Sequence, residues 1–398
     1  MTSSYSIYRQ EAMKAGLCKA STKLQMPNNT ALNLTRYVGA SLSAFLLIYG
    51  CSDGSDNPMN GASHTQSEPP FQELYNQGVD RYLGEFTPMT SETVGGGVIE
   101  HTFGGGDGPL CFTGNEFAMS TRDGVSDELL IFLQGGGACG PTNCAAVSVG
   151  LPLFNVGILE AGNPANPTTD YDLGYIPYCD GTFFTGDRDV DSDGDGNNDR
   201  YFRGLQNLSA SLDVIVSNYP APSRIVLAGN SAGGFGIHYA LPLVRKLYPD
   251  VPIELINDSG MGIRQPGSQE RLNAYWNSDS FFPANCSACI GEDGNLTEYH
   301  KYQLAEDENI RIGFISSTRD KTIVGQSGID GDIFEAELLH AVAELEDAYP
   351  DRFRSLISYT DEHTYIIKQF DFPVADTTVR QWVTNMLSSN DSWVSESD

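Results

Sequence analysis

The chain has 398 residues and a formal charge of −29 at neutral pH. A surface of that sign repels phosphates, which excludes DNA or RNA as a partner. Hydrophobic residues make up 40% of the chain and Tyr and Phe are plentiful, so a large core is affordable and a disordered chain is excluded.

The first informative stretch is "RYVGASLSAFLLIYGC", from Arg36 to Cys51. Its apolar run falls well short of the ~20 residues that a spanning helix needs. A basic residue, a short apolar core and a small residue before the cut form a secretory signal. Ile48-Tyr49-Gly50-Cys51 resembles a lipobox, in which Cys51 is lipidated and becomes the new N-terminus. An ordinarily cleaved signal peptide is the alternative, because Tyr49 is atypical for a lipobox. Met26 is a natural start for such a signal, so residues 1–25 read as an upstream extension and residues 1–50 as extension plus signal peptide. Residues 51–70 are small, polar and proline-ended, the composition of a flexible tether. The expected location is extracytoplasmic, either anchored to the outer membrane through Cys51 or secreted. Any membrane contact is expected only through that anchor.

Folded structure is expected over residues 71–398. Buried strands are predicted in 127–140, 223–234, 251–260, 309–320 and 353–363. Each is a short apolar, β-branched run ending in Gly, Asp or Ser. Helical spacing is found in 234–247, 334–348 and 376–388. Strands alternating with helices predict an α/β fold with a mostly parallel central sheet and helices on both faces. Regions 150–222 and 261–300 read as irregular, the second as a loop-rich insertion. In such sheets ligands sit beyond the carboxyl ends of the strands, and four of these strands end in chemically capable residues.

One of them is Ser231, in "RIVLAGNSAGGFGIHYA". Gly229-Asn230-Ser231-Ala232-Gly233 fits G-x-S-x-G, where a sharp strand-to-helix turn exposes the serine hydroxyl. The glycines are expected to permit the turn and to clear room for a substrate. The helix that follows aims free N–H groups and its positive dipole end at an oxyanion. The alternative is a glycine-rich turn with no chemistry. A serine nucleophile needs a base. His64 lies in the tether, His101 early in the chain, His300 in the irregular region and His340 inside a helix. His238 follows Ser231 on the same helix and reads as a core histidine. His363, in "YTDEHTYI" after the last strand, stands where the order Ser, acid, His puts the base. Asp320, in "SSTRD", is the expected acid that orients the imidazole. Asp258, in "NDSG", is its rival, with a loop-tying role as the alternative. "LQGGGAC" supplies Gly136 and Gly137 as oxyanion donors together with the N–H of Ala232.

Six cysteines lie beyond the signal region: Cys111, Cys139, Cys144, Cys179, Cys286 and Cys289. In an exported chain they read as disulfides, with many connectivities open. Cys139 with Cys144 and Cys286 with Cys289 are close enough in sequence to pair locally, which would leave Cys111 with Cys179. Zinc at the Cys286 C-x-x-C is the alternative.

"LQGGGAC", "YCDGTFFTGD" (178–187), "YFRG" (201–204), "GNSAGG", "NDSG" and "SSTRD" occur here in the order seen in the pectin acetylesterase and Notum family of α/β-hydrolases, which the chain resembles over roughly residues 75–390. The resemblance implies a single α/β-hydrolase catalytic domain, a triad of Ser231, Asp320 and His363, an oxyanion hole from Gly136, Gly137 and Ala232, and the cysteine pairings just given, Cys111 with Cys179 included. It implies removal of an acyl group, acetyl in plant members and fatty acyl in animal ones. Ala138 stands where members often carry an aromatic, which alters the pocket wall.

At 187–200 an acidic insertion, "DRDVDSDGDGNNDR", interrupts the link between "FFTG" and "YFRG". Asp191, Asp193, Asp195, Asp199 and the Asn197 carbonyl could surround one Ca²⁺, with Gly196 allowing the turn. The bidentate Glu of an EF-hand is missing, since Phe202 holds that position. A solvated acidic loop is the alternative. The expected function is a serine carboxylic ester hydrolase without a catalytic cofactor. It would deacetylate an O-acetylated polysaccharide or another small ester, with calcium structural only. The competing class is a catalytically inert, calcium-stabilised glycan-binding lipoprotein.

Overall fold

The computed structural model describes residues 68–291, 294–388 and 391–398. The signal region, Cys51, His64 and most of the tether lie outside the described residues. Phe71, where folded structure was expected to begin, is fully buried beside the short helix α1 (Gln72–Asn76).

Strands β1 (Thr90–Gly95), β2 (Val98–Phe103) and β3 (Phe117–Arg122) form an antiparallel meander. β4 (Glu128–Leu133) and β5 (Asp172–Ile176) pair in parallel, and β5 joins the meander through β3. A hairpin of β6 (Arg188–Val190) and β7 (Arg200–Phe202) carries the acidic insertion at its tip. Helices and strands then alternate: α2 (Gly204–Asn218), β8 (Arg224–Asn230), α3 (Ala232–Leu247), β9 (Ile253–Asp258), α4 (Ser268–Trp276), α5 (Thr297–Glu306) and β10 (Ile310–Ser317). The chain ends with α6 (Lys321–Ser327), α7 (Gly331–Ala348), β11 (Phe353–Ser358), the small hairpin β12 (Pro373–Val374) and β13 (Thr377–Thr378), α8 (Val379–Leu387) and β14 (Glu396–Ser397).

The main sheet runs β1-β2-β3-β5-β4-β8-β9-β10-β11-β14, and every neighbouring pair from β5 to β14 is parallel. The period of two in a strand explains why these runs are apolar throughout. Leu129, Ile131, Leu133, Ile225 and Leu227 face one core with Ile237, Leu241 and Val244 of α3. Their sequence neighbours Leu130, Phe132, Val226 and Ala228 face the other core with Trp382, Val383 and Met386 of α8. Helices therefore cover both faces, as an α/β-hydrolase-like fold requires.

Two expectations are corrected. The region 150–222 contains β5 and the largely buried helix α2. The region 261–300 contains α4 and the start of α5 rather than loop alone. Cys111 is bonded to Cys179, Cys139 to Cys144 and Cys286 to Cys289. The last bond uses both sulfurs that the zinc alternative needed. Among the described residues no helix is long and apolar enough to cross a membrane.

Register brings the strand ends level. Leu133 pairs with Gly229, Asn230 with Asp258, Asp258 with Ile315, and Ser317 with Ser358. The loops after β4, β8, β9, β10 and β11 therefore emerge at one edge.

Candidate active site

At this edge the turn from β8 into α3 holds Ser231 at φ 55° and ψ −120°. A positive φ on a non-glycine residue is strained and persists only where its surroundings enforce it. Ser231 N–H donates to the Asp258 carbonyl at 2.7 Å, and its own carbonyl accepts from Phe235 N–H at 3.1 Å. The flanking glycines serve this packing. A Cβ on Gly229 would stand 2.3 Å from the Gly233 oxygen, and one on Gly233 would stand 1.9 Å from the Leu133 oxygen. They clear room for neighbouring backbone, not for a substrate as the sequence suggested.

Beside the elbow, the Gly135–Gly137 loop leaves β4. Gln134 Oε1 fixes its base by accepting from Leu151 N–H at 3.1 Å and from Tyr178 N–H and the Tyr175 hydroxyl at 3.2 Å. Gly135 N–H donates to Asn230 Oδ1 at 3.2 Å, tying this loop to the serine turn. The N–H groups of Gly136, Gly137 and Ala232 donate to no acceptor among the described residues. Gly137 and Ala232 line a cleft of about 550 Å³ together with Ser231.

Asp320 is fully buried after β10. Its Oδ1 caps α6, accepting from Thr322 and Ile323 N–H at 3.0 Å each. Its Oδ2 faces His363 Nδ1 at 2.7 Å. One carboxylate is thus held by a helix N-terminus on one oxygen and holds an imidazole with the other. Ser231 Oγ has no hydrogen-bond partner among the described residues, so the structure brings Asp320 and His363 into contact and leaves the Ser231–His363 contact open.

The loop carrying His363 is nevertheless pinned to the serine turn by Asp258. This fully buried carboxylate accepts from Tyr365 N–H at 2.7 Å and Ile366 N–H at 3.0 Å through Oδ2. Its backbone carbonyl takes Ser231 N–H. Asp258 makes no hydrogen bond to the His363 ring; it ties the loop. Burial pushes its pKa up to about 6, opposed by the two N–H donors and the nearby His363. A second clamp is the Ser317 hydroxyl, which bonds the Glu362 carbonyl at 2.8 Å and also meets the Tyr365 hydroxyl.

The remaining described histidines lie apart from this constellation. His238 sits buried between Gln303 Oε1 and Asn257 Nδ2, each at 2.8 Å, and burial drives its pKa well below the usual value. His300 packs 4.2 Å from it, also buried, its pKa lowered to about 4. His101 bonds Ser91 and Thr121, and His340 pairs with Glu344 on the surface.

Sequence reasoning missed the cleft wall. Phe183 stacks on Phe235 at 4.6 Å and meets Trp276 edge-on at 5.3 Å. Buried Asp180 shapes that wall by accepting from Thr182 and Phe184 N–H. Only the unusual Phe183-Phe184 pair in "YCDGTFFTGD" hinted at it.

At the hairpin tip, carboxylate oxygens of Asp191, Asp193 and Asp195 lie within 4.8 Å of one another. Gly194 and Gly196 N–H donate to Asp191 at 2.7 and 2.8 Å. Asp199 turns instead to Ser192, accepting from its N–H at 2.8 Å and its hydroxyl at 2.6 Å. Asn197 donates its N–H to Asp195. The structure therefore groups three of the five expected ligands.

A parallel sheet with a serine at a strand–helix elbow and an acid–imidazole pair at the same edge is the architecture of the α/β-hydrolases. The family model for pectinacetylesterases matches residues 107–279, which supports the resemblance to that family. The matched segment includes Gly136, Gly137, Ser231, Asp258 and the acidic insertion; Asp320 and His363 follow it. A comparison of the chain with curated proteins finds no match.

Asp258 supports a pH prediction. Its folded pKa of about 6 exceeds the ordinary 3.8, so the native state keeps a proton that the unfolded chain has lost. This contribution favours folding at low pH and is lost as pH rises through about 4 to 6, by at most ~1.4 kcal/mol per pH unit. In urea unfolding, the stability of wild type relative to Asp258→Asn should fall across that window. A difference independent of pH would show that Asp258 does not titrate there.

Proposed function

We propose that the chain is a serine esterase that removes acyl groups, best acetyl groups from an O-acetylated polysaccharide, through an acyl-serine intermediate. The supporting observation is the Asp320–His363 hydrogen bond at the sheet edge that presents Ser231. With Nδ1 committed to Asp320, His363 Nε2 is left to take the Ser231 proton as Oγ attacks the ester carbonyl. The N–H groups of Gly136, Gly137 and Ala232 receive the oxyanion. Collapse breaks the ester C–O bond, and His363 returns its proton to the leaving alcohol. Water then attacks the acyl-serine as His363 takes its proton; the acyl C–O bond to Ser231 breaks, His363 gives the proton to Oγ, and the acid departs. The open Ser231–His363 contact closes when substrate displaces solvent, as hydrogen bonds in ligand-free sites often do.

The three disulfides suit an oxidising compartment, which agrees with export and with either fate of Cys51. We propose in addition that Asp191, Asp193 and Asp195 hold a structural Ca²⁺ with help from backbone carbonyls. The grouping of their oxygens supports this, because close carboxylates repel one another without a cation.

Acetate release from acetylated glycans and p-nitrophenyl acetate tests the esterase. Ser231→Ala, Asp320→Asn and His363→Ala should each lower kcat/KM by roughly 10³-fold or more. Wild-type activity equal to that of Ser231→Ala would favour the inert glycan-binding alternative. For the cation, millimolar Ca²⁺ should raise Tm by several degrees over chelator, and Asp193→Asn should remove the shift. An unchanged Tm in wild type would leave the loop merely solvated.

A further inference from the structure

Single exposed apolar side chains are ordinary on a protein surface, but a cluster of them is not. Between residues 149 and 156, Val149 is 57% exposed, Leu151 46%, Phe154 52% and Val156 39%. Pro152, between them, is exposed as well. Charge does not relieve this surface. No Asp, Glu, Lys, Arg or His occurs from Leu129 to Leu159, in a chain of which 19% is charged. Burial of β4 accounts for the start of that run, but not for its exposed part.

The stretch is held by the fold. Leu151 N–H donates to Gln134 Oε1 at 3.1 Å. Asn155 Oδ1 accepts from Ala161 N–H at 2.7 Å. Ile158 N–H donates to the Ile366 carbonyl at 2.9 Å, just beyond His363. Leu153 packs against the core that α8 covers, while its neighbours stay exposed. The apolar side chains are therefore displayed on a fixed frame. It runs from the Gly135–Gly137 loop to the histidine loop, along the edge of the sheet that carries Ser231.

Extent and charge select the partner. Half-exposed, these side chains offer roughly 300 Å² of apolar surface, short of the ~800 Å² per partner in a standard protein interface. Shallow insertion at a lipid surface needs only a few apolar side chains. The groove beside Val156 is lined by Glu160 and Asp371 and by Lys368 and Arg380, acids and bases in balance. Such a rim suits zwitterionic headgroups, whereas a net charge of −29 repels anionic ones. The lipid anchor expected at Cys51 would keep a bilayer within ~60 Å, the most that residues 51–67 can span.

We propose that the stretch from Val149 to Val156 is a lipid-docking surface, which inserts Leu151, Phe154 and Val156 into the interface of a zwitterionic bilayer and holds the serine-bearing edge of the sheet against it. This contact is separate from the anchor at Cys51 and does not depend on the esterase reading.

The test uses the full chain with Cys51→Ser, which takes no lipid, and flotation with phosphatidylcholine vesicles. This protein should bind them. Leu151→Ser with Phe154→Ser in the same background should bind about tenfold more weakly at an unchanged Tm. Replacing half of the lipid with phosphatidylglycerol should weaken binding, and stronger binding there would overturn the choice of a zwitterionic surface. A second readout probes the loop itself. Emission of the Phe154→Trp protein should be quenched, beyond that of its parent, by phosphatidylcholine brominated in its acyl chains. Emission of Val125→Trp, at an exposed position before β4, should not. Equal vesicle binding with and without the two serines, or no added quenching in Phe154→Trp, overturns the proposal. A dimer in sedimentation that the two serines dissociate, with no vesicle binding, would overturn it in favour of a second copy of the chain.

Discussion

The site depends on one buried carboxylate that joins two distant pieces of chain. Asp258 ends β9, between the strand that delivers the serine and the strand that precedes the acid. Its carbonyl holds the Ser231 backbone and its side chain holds the backbone just beyond His363. A fully buried carboxylate with a raised pKa is an expensive tie, tolerated because one oxygen accepts from two N–H groups and the other from the Ser259 hydroxyl. Without it the serine turn and the histidine loop would share an edge of the sheet but lose this mutual anchor.

Around that tie, each group has a separate reason for its place. The strained Ser231 backbone is enforced from below by β4, whose Leu133 carbonyl leaves room only for glycine at 233. Asp320 is oriented by the helix it caps, so the oxygen facing His363 is not free to turn away. The Gly135–Gly137 loop is tied to Asn230, next to the serine. The groups to which the proposed mechanism gives the roles of donor, nucleophile, base and acid therefore come from four different strand ends and depend on strand register for their proximity.

Much of this was legible in the sequence because it is local. Continuous apolar runs marked β4, β8, β9, β10 and β11, and small residues around Ser231 marked the elbow. The meander β1–β3 escaped notice because β1 is exposed along its whole length and shows no apolar run. Helix α2 was hidden in a region whose buried face includes Ser209, Ser211 and Asn207, residues that do not read as core. Phe183, Phe235 and Arg264 meet only through folding, so no spacing in the chain reveals the cleft they form. Composition does not record where charge sits: in an acidic chain, the charged residues that line the cleft among those described are Arg264 and Arg271.

The central claim is that Ser231 is a nucleophile activated by His363 and held in reach of it by the fold. Labelling with a fluorophosphonate, followed by mass spectrometry of the modified peptide, tests it most directly. The account predicts a single adduct on Ser231, formed far more slowly in His363→Ala and Asp320→Asn proteins that retain the wild-type melting transition. Modification of another serine, or labelling of Ser231 at a rate indifferent to His363, would contradict it.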